Sequence, residues 1–152
     1  MKYLLLTSLL FSLSGFGEPD LYEGKLLKRD GLLYKPGSLE PFTGKNVLWH
    51  HNSQLLRKGS YKDGKKDGLW KFYWNNGQLE NKGNYKDGNR DGLWEYYHEN
   101  AQPWAKGSYR DGKEDGLWEC YEECYEKDGS VSEDYPKCYQ NGKEVNLSIC
   151  KQ

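Results

Sequence analysis

The sequence lacks the features that usually accompany catalysis or nucleic-acid binding. Only 36% of its 152 residues are hydrophobic, which is below the globular norm and too few for a thick core. The net charge is −1 and no basic patch dominates, so the electrostatic footprint of a nucleic-acid binder is missing. No Ser-His-Asp, Cys-His or phosphate-loop pattern occurs. We therefore predict no enzymatic activity, no cofactor and no nucleic-acid partner.

Residues suited to metal binding are also few or badly placed. His50 and His51 are neighbours, so on a strand they point to opposite faces and cannot chelate together. The pattern Asp-Gly-x-x-Asp-Gly repeats, but Lys or Arg interleaves with the acids, unlike a calcium loop. We attribute these aspartates to turn chemistry, with calcium as the alternative, and predict no metal site. The aspartates are Asp63, Asp67, Asp87, Asp91, Asp111 and Asp115.

No hydrophobic run is long enough for a comfortable membrane span. The one apolar stretch covers residues 3–13, follows the positive charge of Lys2, and precedes small residues at Gly15 and Gly17. This order is typical of a signal peptide, and we predict that residues 1–17 are removed by cleavage after Gly17. An uncleaved anchor is the alternative. The mature protein is then expected to be secreted, or to lie in the periplasm or cell envelope.

Cysteine is confined to the C-terminal end, at Cys120, Cys124, Cys138 and Cys150. An even number on an exported chain favours disulfides. Cys120 and Cys124 would lie roughly 13 Å apart on an extended strand, too far to bond each other. A hairpin turning at 128–129 favours the pairing Cys120–Cys138 with Cys124–Cys150. The pairing Cys124–Cys138 with Cys120–Cys150 has only slightly less support, and a zinc site is the minor alternative.

What the sequence does contain is aromatic residues, glycine and a repeat. It has 13 Tyr, 6 Trp, 4 Phe and 18 Gly. Residues 61–70 recur almost unchanged at 85–94 and 109–118, so that both the Tyr and the Trp positions step by 24. A fixed period of this size indicates a repeat architecture, and near-identical units in a row build a surface.

The turns define the unit. Asp63-Gly64, Asn76-Gly77, Asp87-Gly88 and Asp111-Gly112 are predicted type I′ hairpin turns, in which both central residues need φ > 0. The spacing of these turns leaves about six to eight residues for each strand between them. We therefore predict an all-β protein, an elongated single-layer antiparallel β-meander in which each unit is one hairpin.

Alternation along the strands predicts two unlike faces. Trp70, Phe72 and Trp74 share an aromatic face, whereas Leu69, Lys71 and Tyr73 share a mixed one. A turn at Asn76-Gly77 places Trp70 opposite Gly83, and by the same count Trp94 opposite Gly107. We expect each indole to cover the bare backbone of the glycine beside it. His98, at the position of Trp74, is predicted to be a packed substitute for it.

These units resemble MORN repeats of the shorter bacterial variant type, over roughly residues 30–145. The residues that carry the resemblance are Tyr61, Gly64, Gly68, Trp70, Asn76, Gly77, Tyr85, Gly88, Gly92, Trp94, Tyr109, Gly112, Gly116 and Trp118. Together with the features above, this resemblance predicts four segments. They are a signal peptide (1–17), an N-terminal segment with a degenerate first repeat (18–40), MORN-variant repeats (41–118) and a cysteine-containing C-terminal cap (119–152).

The resemblance implies a binding role. Bacterial proteins of this kind are often labelled antitoxin components, and other MORN proteins are scaffolds or touch membrane lipids. The export signal and the cysteine-containing extension depart from a cytoplasmic antitoxin. We expect an exported module that binds an unidentified partner protein, with an antitoxin- or immunity-like role. The alternatives are a glycan or choline-type ligand bound along Trp70, Trp94 and Trp118, or a purely structural envelope protein.

Overall fold

The computed structural model describes residues 21–121, 124–125, 131–132, 136–147 and 150, with the backbone alone at 124–125 and 131–132. The predicted signal peptide lies outside these residues. The described residues form fourteen strands. They are β1 Leu21–Glu23, β2 Leu27–Arg29, β3 Leu32–Tyr34, β4 Gly44–Trp49, β5 Leu55–Lys62, β6 Lys65–Tyr73, β7 Leu79–Lys86, β8 Asn89–Tyr97, β9 Pro103–Arg110, β10 Lys113–Cys120, β11 Cys124–Tyr125, β12 Val131–Ser132, β13 Lys137–Gln140 and β14 Lys143–Val145.

The main sheet is an open meander, as predicted. Its ten strands follow the order β1-β4-β5-β6-β7-β8-β9-β10-β13-β14, so β4 to β10 pair with their sequence neighbours in an antiparallel sense. The register also agrees with the turn count, since Trp70 lies opposite Gly83 and Trp94 opposite Gly107. The hairpins β2–β3 and β11–β12 form two small separate sheets.

The two kinds of turn differ. At Asp63-Gly64, φ is 49° and 77°, so both central residues are left-handed, as a type I′ turn requires. At the other end of the unit only Gly77 is left-handed (φ 83°). The amide of Gly77 donates to the carbonyl of Trp74, which makes a type I turn followed by a left-handed residue. The predicted type I′ turn at Asn76-Gly77 is therefore wrong, because the loop is one residue longer.

A bulge recurs in the first strand of each unit. Gly68, Gly92 and Gly116 have φ of 78°, 69° and 82°, and each lies where the pairing with the preceding strand slips by two residues. Left-handed backbone is costly for a residue with a Cβ atom. This explains why glycine precedes the Leu-Trp pair in all three units.

The N-terminal edge departs from an antiparallel meander, because β1 pairs with β4 in a parallel sense. Asn46 occupies the position 24 residues before Trp70 and is 1% exposed. Its amide donates to the carbonyls of Tyr22 and Gly24, at 2.8 and 3.0 Å. In this edge unit the buried side chain holds the parallel strand instead of covering a glycine with an indole.

The C-terminal end corrects the predicted disulfides. Cys138 bonds Cys150, with Cα atoms 6.0 Å apart, so both pairings predicted from the sequence are wrong. The reason is the register, in which Cys138 lies opposite Leu117. Since Cys120 is three residues further along β10, it belongs to the other face of the sheet. Cys120 is also disulfide-bonded. The prediction that it does not bond Cys124 concerns a side chain outside those described.

Candidate functional site: the two faces of the sheet

The three repeated tryptophans form the core of the protein. Trp70 and Trp94 are 0% exposed and Trp118 is 7% exposed. Their rings lie over Gly59, Gly83 and Gly107, where an added Cβ atom would come within 2.2, 2.3 and 2.0 Å of the indole. Each ring thus covers the glycine of the preceding strand. The expectations that Trp70 covers Gly83 and that Trp94 covers Gly107 are wrong in this detail, because Trp94 and Trp118 take those places.

Each indole is also fixed by a hydrogen bond. The Nε1 groups of Trp70, Trp94 and Trp118 donate to the carbonyls of Ser60, Asn84 and Ser108, at 3.0, 3.1 and 3.3 Å. A buried indole N–H needs a partner, and here it finds one beside the glycine that the ring covers. Each repeated Trp and the Gly that it covers therefore form one packing unit.

Tyrosines and cations close the aromatic face. Tyr61 and Tyr85 meet Trp70 edge-on, with centroids 4.9 and 6.0 Å away. The Lys66 ammonium lies over the rings of Trp70, Phe72 and Tyr85, at 4.7, 4.9 and 4.5 Å. Burial lowers the pKa of Lys66, whereas the surrounding rings favour its charged form.

Arg90 holds the equivalent position one unit later, above Trp94 at 4.5 Å. Its guanidinium donates to the hydroxyls of Tyr96 and Tyr109, both at 2.9 Å, and these hydroxyls lie 3.1 Å apart. Burial and then the bond to Tyr109 raise the pKa of Tyr96 far above its usual value. These three side chains bond one another above Trp94, so the network serves the core.

The opposite side of the sheet, which we call the exposed face, carries the accessible apolar groups. Leu69, Leu93 and Leu117 are 52%, 51% and 36% exposed and repeat with the same period as the tryptophans. A second row with the same period consists of Trp49, Tyr73, Tyr97 and Tyr121. Its two end residues, Trp49 and Tyr121, are 50% and 49% exposed. Rows of apolar side chains in contact with solvent are a feature of interaction surfaces.

Between these rows runs a line of charges, which we call the charged row. It crosses β5 to β10 through directly opposed residues: Lys58, Lys71, Lys82, Glu95, Lys106 and Glu119. Lys82 and Glu95 form an ion pair at 2.5 Å, and Lys106 and Glu119 form another at 2.7 Å. The hydrogen bond from Lys82 lowers the pKa of Glu95. The bond to Glu119 raises the pKa of Lys106.

The first unit breaks this pattern, because Lys71 stands where Glu95 and Glu119 stand in the next two. Beside it lies an open cleft of about 410 Å³, which the aromatic core does not reach. Its lining combines lysine with apolar side chains: Leu21, Lys45, Val47, Lys58, Leu69 and Lys71, with Asn46, Gly59 and Ser60. Sequence reasoning placed Lys71 on the mixed face but missed this contrast, which aligning residues 71, 95 and 119 would have shown.

The remaining candidates are structural where they are described. Asp63, Asp87 and Asp111 have φ near 50° in the tight turns. His50 hydrogen-bonds the carbonyl of Tyr73 at 2.9 Å, and His98 packs on Trp104 with centroids 6.2 Å apart. Within the ranges that the structure describes, no three His, Cys, Asp or Glu residues are grouped as metal ligands. In the same ranges, no helix has the length and hydropathy needed to cross a bilayer.

Comparison with known families agrees with this architecture. The family model described as MORN repeat variant matches residues 66–87 and 90–111. No curated protein and no solved structure matches the chain. The two matched stretches, within residues 66–111, are therefore similar to MORN-variant repeats, and the meander of hairpins is consistent with them. Such repeats are non-catalytic and commonly bind proteins or membranes.

Proposed function

We propose that this is an exported protein-binding module that engages a partner protein through the exposed face. The observation that carries the proposal is the row Leu69, Leu93 and Leu117, which remains accessible although the chain is short of hydrophobic residues. Repetition at a fixed period gives a regular strip in which the leucines alternate with Asn84 and Ser108 of the intervening strands. Such a strip suits one extended partner surface better than a small molecule.

Export is supported by two independent features. The N-terminal residues have the order of a signal peptide, and Cys138–Cys150 is a disulfide, which is typical of a non-reducing compartment. An immunity- or antitoxin-like role outside the cytoplasm is our more specific proposal. Ligand binding along Trp70, Trp94 and Trp118 is not proposed, because a sugar cannot stack on rings that are sealed within the core.

The test is partner capture with matched leucine variants. Wild-type protein, Leu93→Asp and Leu27→Asp are immobilised and exposed to the envelope and extracellular fractions of the source organism. Leu93 and Leu27 are 51% and 49% exposed, but Leu27 lies on the separate hairpin β2–β3. We expect a retained protein that is lost with Leu93→Asp and kept with Leu27→Asp. Capture that is equal for all three proteins, or absent with the wild type, would contradict the proposal and favour a structural role.

A further inference from the structure

The charged row contains a local conflict in the first unit. Lys71 lies directly between Lys58 on one side and Lys82 on the other. Opposed residues on neighbouring strands have Cβ atoms about 5 Å apart, and like charges at that distance destabilise a sheet. The following units avoid the conflict, because Glu95 and Glu119 neutralise Lys82 and Lys106. A glutamate at position 71 would neutralise Lys58 in the same way.

No neighbour relieves this conflict within the described part of the chain. Lys82 is paired with Glu95, and the Lys58 ammonium lies over the ring of Tyr73, at 5.9 Å. Lys45 adds a third positive charge to the cleft beside Lys58 and Lys71. A position that breaks the rule of its own repeat at a cost in stability is a candidate for function.

We propose that the cleft of the first unit binds an acidic segment of a partner protein, one that alternates carboxylate and apolar side chains. A carboxylate placed between Lys58 and Lys71 would supply the missing negative charge. The apolar neighbours of the segment would cover Leu21, Val47 and Leu69, which line the same cleft. This inference rests on the proposed function and specifies which part of the exposed face selects the partner.

The charges elsewhere on the face favour a discrete segment over an anionic membrane. Glu95 and Glu119 continue the charged row away from the cleft, and their carboxylates are partly exposed. A bilayer lying flat on this face would meet both carboxylates. A polypeptide segment can place its acids at Lys58 and Lys71 alone.

The decisive variant is Lys71→Glu, which gives the first unit the charge pattern of the other two. Its control is Lys143→Glu, the same charge reversal on an exposed residue of the strand at the opposite edge of the sheet. Binding is followed by fluorescence anisotropy with two short labelled peptides. One alternates glutamate with leucine, and in the other glutamine replaces glutamate. Phosphatidylserine vesicles form a third arm.

We expect the wild type and Lys143→Glu to bind the glutamate peptide alike, and the glutamine peptide roughly tenfold more weakly. Lys71→Glu should lose roughly tenfold in affinity for the glutamate peptide and melt at the same or a higher temperature, since a repulsion is removed. Lys58→Gln provides a second reading and should weaken binding in the same direction.

Equal binding by the wild type and Lys71→Glu would overturn the inference, as would binding to vesicles without binding to the peptide. Failure here is distinguishable from failure of the proposed function. If Leu93→Asp abolishes partner capture while the glutamate peptide binds nowhere, the exposed face is still the interface and only the acidic segment is refuted.

Discussion

On the buried face of the sheet the repeat returns the same residues, with tryptophan at 70, 94 and 118 and glycine at 59, 83 and 107. On the exposed face the leucines at 69, 93 and 117 also repeat, but positions 71, 95 and 119 differ and are lysine, glutamate and glutamate. The difference follows from the contacts. Each indole packs within 2.5 Å of where a Cβ atom would stand on its glycine, whereas Lys71 touches solvent and its strand neighbours. Packing therefore fixes the tryptophan and glycine positions, whereas the charged row is free to change from unit to unit.

The test with the largest expected effect on stability replaces two adjacent residues that point to opposite faces. Trp94→Ala removes a side chain that is 0% exposed and should cost about 3–5 kcal/mol of unfolding free energy. Leu93→Ala truncates one that is 51% exposed and should cost at most about 0.5 kcal/mol. Urea unfolding followed by circular dichroism measures both.

Trp94→Phe is the milder variant if Trp94→Ala does not fold, and it should fall between the other two. Similar losses for Trp94→Ala and Leu93→Ala would show that the two faces contribute equally to stability. The assignment of the tryptophans as the core would then fail.

A second test disrupts the packing of an indole on its glycine by replacing the glycine. In Gly83→Ala the new Cβ atom would lie 2.3 Å from Trp94, so the buried ring has to move, at a cost of about 1–3 kcal/mol. The displaced indole should also shift the tryptophan emission to longer wavelength. Asn84→Ala is the control, since its side chain is exposed and the backbone carbonyl that accepts from Trp94 is retained. An unshifted spectrum with unchanged stability in Gly83→Ala would show that ring and glycine are not coupled.

The same contrast explains how much could be predicted from the sequence. The meander follows from the period and the turn positions. The pairs Trp70–Gly83 and Trp94–Gly107 also agree with the turn count, because a register shift at Tyr73 and at Tyr97 offsets the extra loop residue. Which glycine each ring covers depends on the side-chain direction along β6 and β8, and turn counting does not contain it. The pairing Cys138–Cys150 likewise depends on Cys138 lying opposite Leu117, across a stretch without the repeat.

The charged row marks the remaining limit. The change from lysine at 71 to glutamate at 95 and 119 is visible in the sequence once the units are aligned. The turn count that pairs Trp70 with Gly83 also pairs Lys71 with Lys82, but only the structure shows the bulge that sets Lys58 opposite Lys71. The repeated Trp and Gly therefore predict packing, whereas the departure at Lys71 becomes informative when its neighbours are known.

The test with the smallest expected effect measures how the stability contributed by the charged row depends on pH. The hydrogen bond from Lys82 lowers the pKa of Glu95 in the folded protein. The pair therefore stabilises the fold above the unfolded glutamate pKa of about 4.3, and this contribution is lost as the pH falls through the lower folded value. Its size should be about 0.5 kcal/mol, because the side chains are 37% and 30% exposed and solvent screens them.

Glu95→Gln should remove this term, so the difference in unfolding free energy between wild type and variant should shrink on acidification from about pH 7 to about pH 3. Glu99→Gln makes the same replacement at an exposed turn residue and should show no such change. A difference that stays constant with pH would mean that Glu95 contributes by packing alone. The exposed face would then carry no electrostatic coupling between its strands, and the cost we assign to Lys71 beside Lys58 would have to be small as well.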